Sequence, residues 1–285
     1  DPRVESNKTP KATIEFTSNS WRESATEKEY QYFGAPTVNG FVSKITANPA
    51  TYKADFNVWN GADWNNVGML DGNDDTNLDY SVFNSAFGFY SILSNNPKGT
   101  KIVYTFAGNL YGNSDPVVAV ENGWAPLSNG FTGVMDGDAV LNALDGIGVD
   151  AAVYTPKQNV SGKLSWEAHS GLRYLKEILP MSVFMLRNRT SKQELTLDYS
   201  DLVWEPATKS VPNSAPKANN FAMATVRVEG CGLNDIITFA EDNKFSAEFD
   251  NGYDAEKYNN EDICFYVNAD KEYDIFATDN VNNTF

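Results

Sequence analysis

Residues 178–204 read ILPMSVFMLRNRTSKQELTLDYSDLVW, and this stretch decides the fold class. A hydrophobic run, Met181 to Leu186, meets a charged turn, Arg187 to Gln193. A clean alternation follows, Leu195-Thr-Leu197-Asp-Tyr199, closed by Val203 and Trp204. A continuous apolar run suits a strand buried on both faces, and strict alternation suits a strand with one wet face. The stretch therefore predicts a hairpin: a buried strand, a solvated turn and a half-exposed strand.

Outward from it, short apolar, aromatic or β-branched runs alternate with turn signals. The first series is Gln31 to Phe33, Phe41 to Ile45, Ala54 to Trp59, Phe87 to Leu93 and Lys101 to Phe106. Gly, Pro, Asn and Asp punctuate it, as at residues 34–36, 60–63 and 95–99. The second series is Gly123 to Pro126, Asp150 to Tyr154, Lys163 to Trp166, Met181 to Leu186 and Glu194 to Tyr199. Val58 answers Val153 and Phe89 answers Phe184, each 95 residues on; Phe106 answers Tyr199, 93 residues on. Near-constant offsets predict an internal duplication. Two short helices are also expected: Asp138 to Leu144, with Asp136-Gly-Asp138 capping its start, and Ser170 to Ile178, stopped by Pro180.

Residues 205–220 are rich in Pro, Ala, Ser, Asn and Lys and lack periodicity, which marks a linker. Beyond it, Ala222 to Val228, Asp235 to Phe239, Ser246 to Phe249, Ile263 to Val267 and Tyr273 to Ala277 predict five strands of an antiparallel sheet. The expected architecture is all-β: tandem β-sandwich or jelly-roll-like modules, with a duplicated N-terminal region and a C-terminal β-sandwich. Residues 1–28 would be an extension or first strand. Residues 29–206 would be the duplicated region, with halves of 29–120 and 121–206. Residues 207–220 would be the linker, and 221–285 an incomplete sandwich. The chain reads as a mature or trimmed fragment.

Composition supports this class. The chain has 285 residues, 41% of them hydrophobic and 13% aromatic. Its formal net charge is −16, with a pI near 4.4. Such a chain repels phosphate backbones and anionic lipid, which argues against nucleic-acid partners. No apolar run approaches the ~20 residues that a membrane-spanning helix needs, which argues against membrane insertion.

The stretch Ile178–Tyr199 resembles a pattern in large secreted and surface proteins of Bacteroidetes. There a proline-methionine step (Leu179-Pro180-Met181) precedes a buried strand (Phe184 to Leu186) and a strand of LTLDY type (Leu195 to Tyr199). The segments Tyr30 to Pro36 and Gly123 to Gly130 look like the openings of the two halves of such a region. Asp235 to Ala240 and Phe249 to Lys257 resemble the β-sandwich that often follows. The resemblance implies an extracellular or cell-surface, adhesin-like or structural protein, and carries no catalytic motif.

Candidate sites follow from side-chain chemistry. Trp59, Trp64, Tyr111 and Trp124 stand in Asn/Gly-rich surroundings, where flat rings stack on sugars or anchor loops in a core. Asp71, Asn73, Asp75, Asn77 and Asp79 place oxygen atoms at every second position, as a calcium loop does, or as a solvated turn does. Calcium is thus the one cofactor the sequence suggests. Cys231 and Cys264 allow one disulfide, or are two small buried residues. His169, the only histidine, reads as a surface loop residue. The 38 acidic residues offer no spacing that selects a glycosidase pair. The expected function is a non-catalytic surface protein, structural or adhesive. The alternatives are a carbohydrate-binding module and a subunit of a surface or phage-associated filament. Expected partners are other surface proteins or glycans, with self-assembly through open strand edges.

Overall fold

The computed structural model describes residues 11–35, 37–45, 53–60, 63–71, 87–111, 116–158, 164–204, 222–230, 233–258 and 265–279. The fold is all-β. The first region holds β1 (Lys11–Ser18), β2 (Trp21–Arg22), β3 (Lys28–Glu29), β4 (Gln31–Phe33), β5 (Val38–Ile45), β6 (Lys53–Trp59), β7 (Trp64–Asp71), β8 (Tyr90–Ser94) and β9 (Ile102–Asn109). The second holds β10 (Val117–Val120), β11 (Gly123–Ser128), β12 (Val134–Asp136), α1 (Gly137–Gly146), β13 (Val153–Gln158), β14 (Leu164–His169), β15 (Glu177–Ile178), β16 (Val183–Asn188), β17 (Gln193–Thr196), α2 (Tyr199–Leu202) and β18 (Val203–Trp204). The last holds β19 (Ala222–Gly230), β20 (Leu233–Glu241), β21 (Ala255–Glu256), β22 (Val267–Asn268) and β23 (Glu272–Thr278).

Two four-stranded sheets share one chain path. The first has the order β4-β8-β6-β7 and the second β11-β16-β13-β14. In each, the opening strand lies beside the closing strand, which lies beside a hairpin. Opposite the first lies the sheet β1-β9-β5. Phe33, Ala54, Phe56, Tyr90 and Ile92 from one layer meet Ile102, Tyr104 and Phe106 from the other, in one buried core. Burying each such Phe contributes about 1.5–3 kcal/mol. Opposite the second sheet lie β10-β17, β15-β12-β18 and α1. There Ala125, Leu127, Val153, Phe184 and Leu186 pack on Val120, Met135, Leu141, Leu144, Ile178 and Leu195.

The stretch 178–204 departs from its expected hairpin. β16 pairs with β11 and β13, whereas β17 pairs with β10, so the two strands enter different layers. The turn between them is built on Asn188, which is buried. Its Oδ1 accepts from the Thr190 N–H and hydroxyl, and its Nδ2 donates to the carbonyls of Val120 and Ser191. A side chain that satisfies the backbone locally lets the chain cross between layers without ladder bonds.

The proline-methionine step forms a turn. The Ser182 N–H donates to the Leu179 carbonyl, and Met181 has φ of 64°, the left-handed value that this position of a type II turn requires. The Met181 carbonyl accepts the Gly34 N–H at 2.8 Å and so ties the two halves together. A Cβ on Gly34 would lie 2.2 Å from Ser128 Oγ, so only glycine permits this approach.

Helix α1 forms as expected, with the Asp136 side chain accepting the Ala139 N–H. The second expected helix is absent: residues 170–173 form bends, and irregular chain at 174–176 leads into β15. Ser170 instead bonds Arg173 in a closed turn through paired backbone bonds. The C-terminal sheet also differs from expectation. β19-β20-β23-β21 is mixed, because β20 and β23 run parallel. Residues 246–249 form no strand; the Asp250 carboxylate accepts the Ser246 N–H and hydroxyl and curls them into a turn.

This C-terminal sheet lies on the outer face of the second sheet. Ala152, Tyr154, Trp166, Ala168, Val183 and Met185 share a core with Ala240, Phe245, Ala255, Ile275 and Ala277. Polar contacts frame it. The Arg173 guanidinium pairs with Asp274, and Lys257, also buried, pairs with Asp235 and Asp274. Of the described residues, no helix is long and apolar enough to cross a membrane.

Candidate functional site

A cleft of about 410 Å³ opens where the two halves meet. One wall is Val58 and Trp59 at the end of β6, with Phe87 to Tyr90 leading into β8. The other is Val117 to Ala119 of β10, Glu121, and Trp124 to Leu127 of β11. The junction is held by hydrogen bonds: Ser128 Oγ donates to the Gly88 carbonyl at 2.7 Å, and the Gly34 N–H donates to the Met181 carbonyl at 2.8 Å; within the first wall, the Trp59 N–H donates to the Phe89 carbonyl at 3.0 Å.

The four rings expected to bind sugar fall in two places. Trp59 and Trp64 are not loop residues. They face each other across the β6–β7 hairpin, with centroids 5.5 Å apart. Trp124 lies on β11, with Tyr154 and Tyr258 edge-on at 4.9 and 4.8 Å and the Arg187 guanidinium 5.2 Å from its centroid. The contacts continue from Trp64 to Phe89 (4.9 Å), Phe89 to Trp166 (6.2 Å) and Trp166 to Tyr258 (6.1 Å). A chain of aromatic contacts therefore links the first sheet, the second sheet and the C-terminal segment. Tyr111 stands apart, packed on Phe87 and Phe131 in the second half's core. Trp59 and Trp124 reach the cleft; Trp64 stands behind Trp59.

The polar groups at the cleft are few. The Trp59 indole N–H is shielded from solvent and has no hydrogen-bond partner among the described residues. The Glu121 carboxylate is exposed and accepts from Lys192 Nζ at 2.6 Å. Strand β10 pairs only with β17 among the described residues, and Val117 is 57% exposed beside the opening. Sequence reading missed Glu121 and Phe89, since neither carries a local signal beyond strand or turn.

The expected solvated turn, Arg187 to Gln193, is instead a joint at its N-terminal end. Arg189 contacts both carboxylate oxygens of Asp150, at 3.0 and 2.9 Å, and lies 2.9 Å from Glu256. Arg187 pairs with Glu256 at 3.2 Å. Burial pushes the Asp150 carboxyl up to about 6, although Arg189 pulls it down. Burial also pushes Asp254 up to about 7, against the two backbone N–H bonds it accepts. Tyr32, beside Phe89, is pushed up to about 12 by burial.

His169 is a strand residue rather than a surface loop residue. Its Nε2 lies 2.8 Å from Thr155 Oγ1, and burial lowers it to about 4, so it stays neutral. Asp71 ends β7, paired in register with Lys53; Asn73, Asp75, Asn77 and Asp79 lie outside the described residues. Cys231 and Cys264 lie outside them too, as does the 207–220 linker. Among the described residues, no three His, Cys, Asp or Glu side chains are grouped to hold a metal ion.

Compared with known proteins, the chain matches no family, no curated protein and no solved structure.

Proposed function

We propose that this chain is a non-catalytic surface protein, structural or adhesive, built as a stiff scaffold with its binding features at seams and edges. The observation that supports this reading is the aromatic chain from Trp59 to Tyr154. It spends large rings on joining three sheets, where each ring pair adds about 0.5–1.5 kcal/mol beyond its buried area. The strongly acidic composition suits a soluble, exposed location. Two measurements test the reading. Intact source cells treated with a membrane-impermeant biotin reagent should yield the labelled protein, and a panel of polysaccharides incubated with the chain should release no reducing ends. An unlabelled protein removes the surface location, and released sugar removes the non-catalytic role.

A filament-subunit reading draws on β19. Among the described residues it pairs only with β20, and it exposes Met223, Val226 and Val228. Such an edge favours strand addition. Sedimentation over a hundredfold concentration range tests it: a chain monomeric throughout, including in the presence of its own 222–230 peptide, would remove it.

A further inference from the structure

The C-terminal sheet buries a lysine against two carboxylates. Asp235 lies on β20, Asp274 lies on β23, and Lys257 directly follows β21. The order β20-β23-β21 sets Asp274 on the strand between the other two. The Lys257 N–H donates to the Glu272 carbonyl at 2.8 Å, which fixes its backbone beside β23. The Lys257 and Asp274 side chains are each 2% exposed, and that of Asp235 is 14% exposed. Lys257 Nζ lies 2.5 Å from Asp235 Oδ1 and 3.4 Å from Asp274 Oδ1. The Asp235 carboxyl is held at both oxygens: Oδ1 accepts the Ile236 N–H at 2.9 Å, and Oδ2 accepts the Phe265 N–H at 2.8 Å. Asp274 Oδ2 accepts the Ala168 N–H and pairs with Arg173, so Oδ1 is the oxygen left for the lysine. The ion pairs of Lys157, Lys176 and Lys192 are more open to water.

An ammonium and a carboxylate taken out of water lose hydration that their attraction repays poorly. Condensation to a neutral amide removes both charges. Two groups held in reacting geometry behave as if at an effective concentration of about 10⁵–10⁸ M. A buried site also withholds the water that would reverse the reaction. We propose that Lys257 and Asp235 condense to an intramolecular amide bond, with Asp274 as the proton carrier. Asp274 Oδ1 takes a proton from Lys257 Nζ. The free amine adds to Asp235 Cγ, and charge gathers on Oδ2, beside the Phe265 N–H that stabilises it. The Cγ–Oδ1 bond then breaks. Oδ1 leaves as water with two protons that began on Nζ, one of them returned by Asp274. Nothing is oxidised or reduced, and one ammonium and one carboxylate become one amide and one water. Burial pushes the Asp274 carboxyl up, against the pull of Arg173 and Lys257, which suits a group that takes up a proton and gives it back. The reaction happens once within the chain and turns over no substrate. The bond ties β20 to the end of β21 across β23, so it locks three strands. This inference goes beyond the surface reading and stands or falls independently of it.

The test is mass spectrometry of the intact, folded chain, denatured after standing at neutral pH. The chain should be one water, about 18 Da, lighter than its sequence. Trypsin should then fail to cut after Lys257 and release a branched peptide with two N-termini, Val228 and Phe245, which fragment ions locate. Lys257→Met and Asp235→Ala should each have the full sequence mass. Asp274→Asn keeps the shape but cannot carry the proton, so on refolding its linked fraction should grow about 100-fold more slowly. Near-UV circular dichroism verifies that the variants fold, and the unaltered chain decides the matter without them. A folded, unaltered chain at its full sequence mass overturns the proposal. So does a water loss that fragment ions place elsewhere, or one that persists in Lys257→Met. An Asp274→Asn chain that links at the original rate removes Asp274 as the proton carrier.

Discussion

The two four-stranded sheets follow the same path but treat their outer faces differently. In the first, Asn57 stands opposite Ser91 in register, and the two side chains share a hydrogen bond of 3.3 Å. Asn66 extends this polar strip, and Asp55 beside it pairs with Arg22. In the second, an outward-facing pair in register is Tyr154 and Met185, both in the core shared with the C-terminal sheet. The inner faces are alike: Phe33, Phe56 and Ile92 in one, Leu127, Val153 and Leu186 in the other. A common sheet thus tolerates either outer face. What covers it decides which residues stand there, because an apolar face needs a partner layer and a hydrogen-bonded polar face does not. The second half also holds the ten-residue helix α1 between β12 and β13. Only residues 46–52 separate β5 from β6, too few for such a helix.

Exchanging these faces should break the comparison most visibly where the cover lies. Tyr154→Asn imposes the first sheet's chemistry on the second. It removes a buried ring and the hydrogen bond from its hydroxyl to the Glu256 carbonyl, so stability should fall by about 3–5 kcal/mol in urea unfolding. A change below about 1 kcal/mol would show that the C-terminal sheet does not depend on this face. Arg189→Met tests the polar rim of the same contact. At pH 8 it should cost about 2 kcal/mol by leaving Asp150, 5% exposed, without its cation. The loss should shrink at pH 5, where Asp150 takes up a proton.

Proton linkage gives an intermediate effect. Asp150 at about 6 and Asp254 at about 7 stand above the ordinary carboxyl value of 3.8, so the folded protein holds more protons than the unfolded chain in this window. Stability should therefore rise as pH falls from 8 to 6.5. Below that, His169 opposes the trend, because the unfolded chain gains a proton near 6.5 that the folded state refuses until about 4. In thermal melts, His169→Gln should remove that opposing part, so its melting temperature at pH 5 relative to pH 7 should exceed that of the unaltered chain. A fall in melting temperature between pH 8 and 6.5 would contradict the burial of both carboxyls.

Smaller effects sharpen the contrast. Asp136→Ala removes the cap of the helix that the second half holds, at a cost of about 1 kcal/mol. Asn57→Tyr, the reverse of the first exchange, should cost about 1 kcal/mol, since it removes the side-chain hydrogen bonds with Ser91 and Asn66 but empties no core shared with another sheet. A large loss there would mean that this face too is covered in the native assembly.

Much of the secondary structure was legible in the sequence. Period-two alternation and turn residues placed β4, β6, β9, β11, β20 and β23 within a few residues, and the Asp136 cap marked α1. β7 was hidden, because its sequence WNNVGMLD lacks alternation and looks like a loop. The pairing of strands was not legible. Leu195 and Leu197 show that β17 buries one face, but not that it pairs with β10 rather than β16. Local pattern encodes conformation and facing, whereas partner choice depends on which distant strands fill the same core.

The candidate site divides the same way. Trp59 and Trp124 stood out as large rings in polar surroundings. Their meeting across one cleft, with Glu121 at its edge, required two halves folded against each other. By itself, the sequence determined an all-β chain, its helix start and the absence of a long apolar run. Only the tertiary structure decided that Arg187 and Arg189 join layers rather than face water, and that β20 and β23 run parallel. It also decided that the two sheets present unlike outer faces. The physical reason is that burial and charge pairing are properties of neighbours, and these neighbours lie tens of residues apart in the chain.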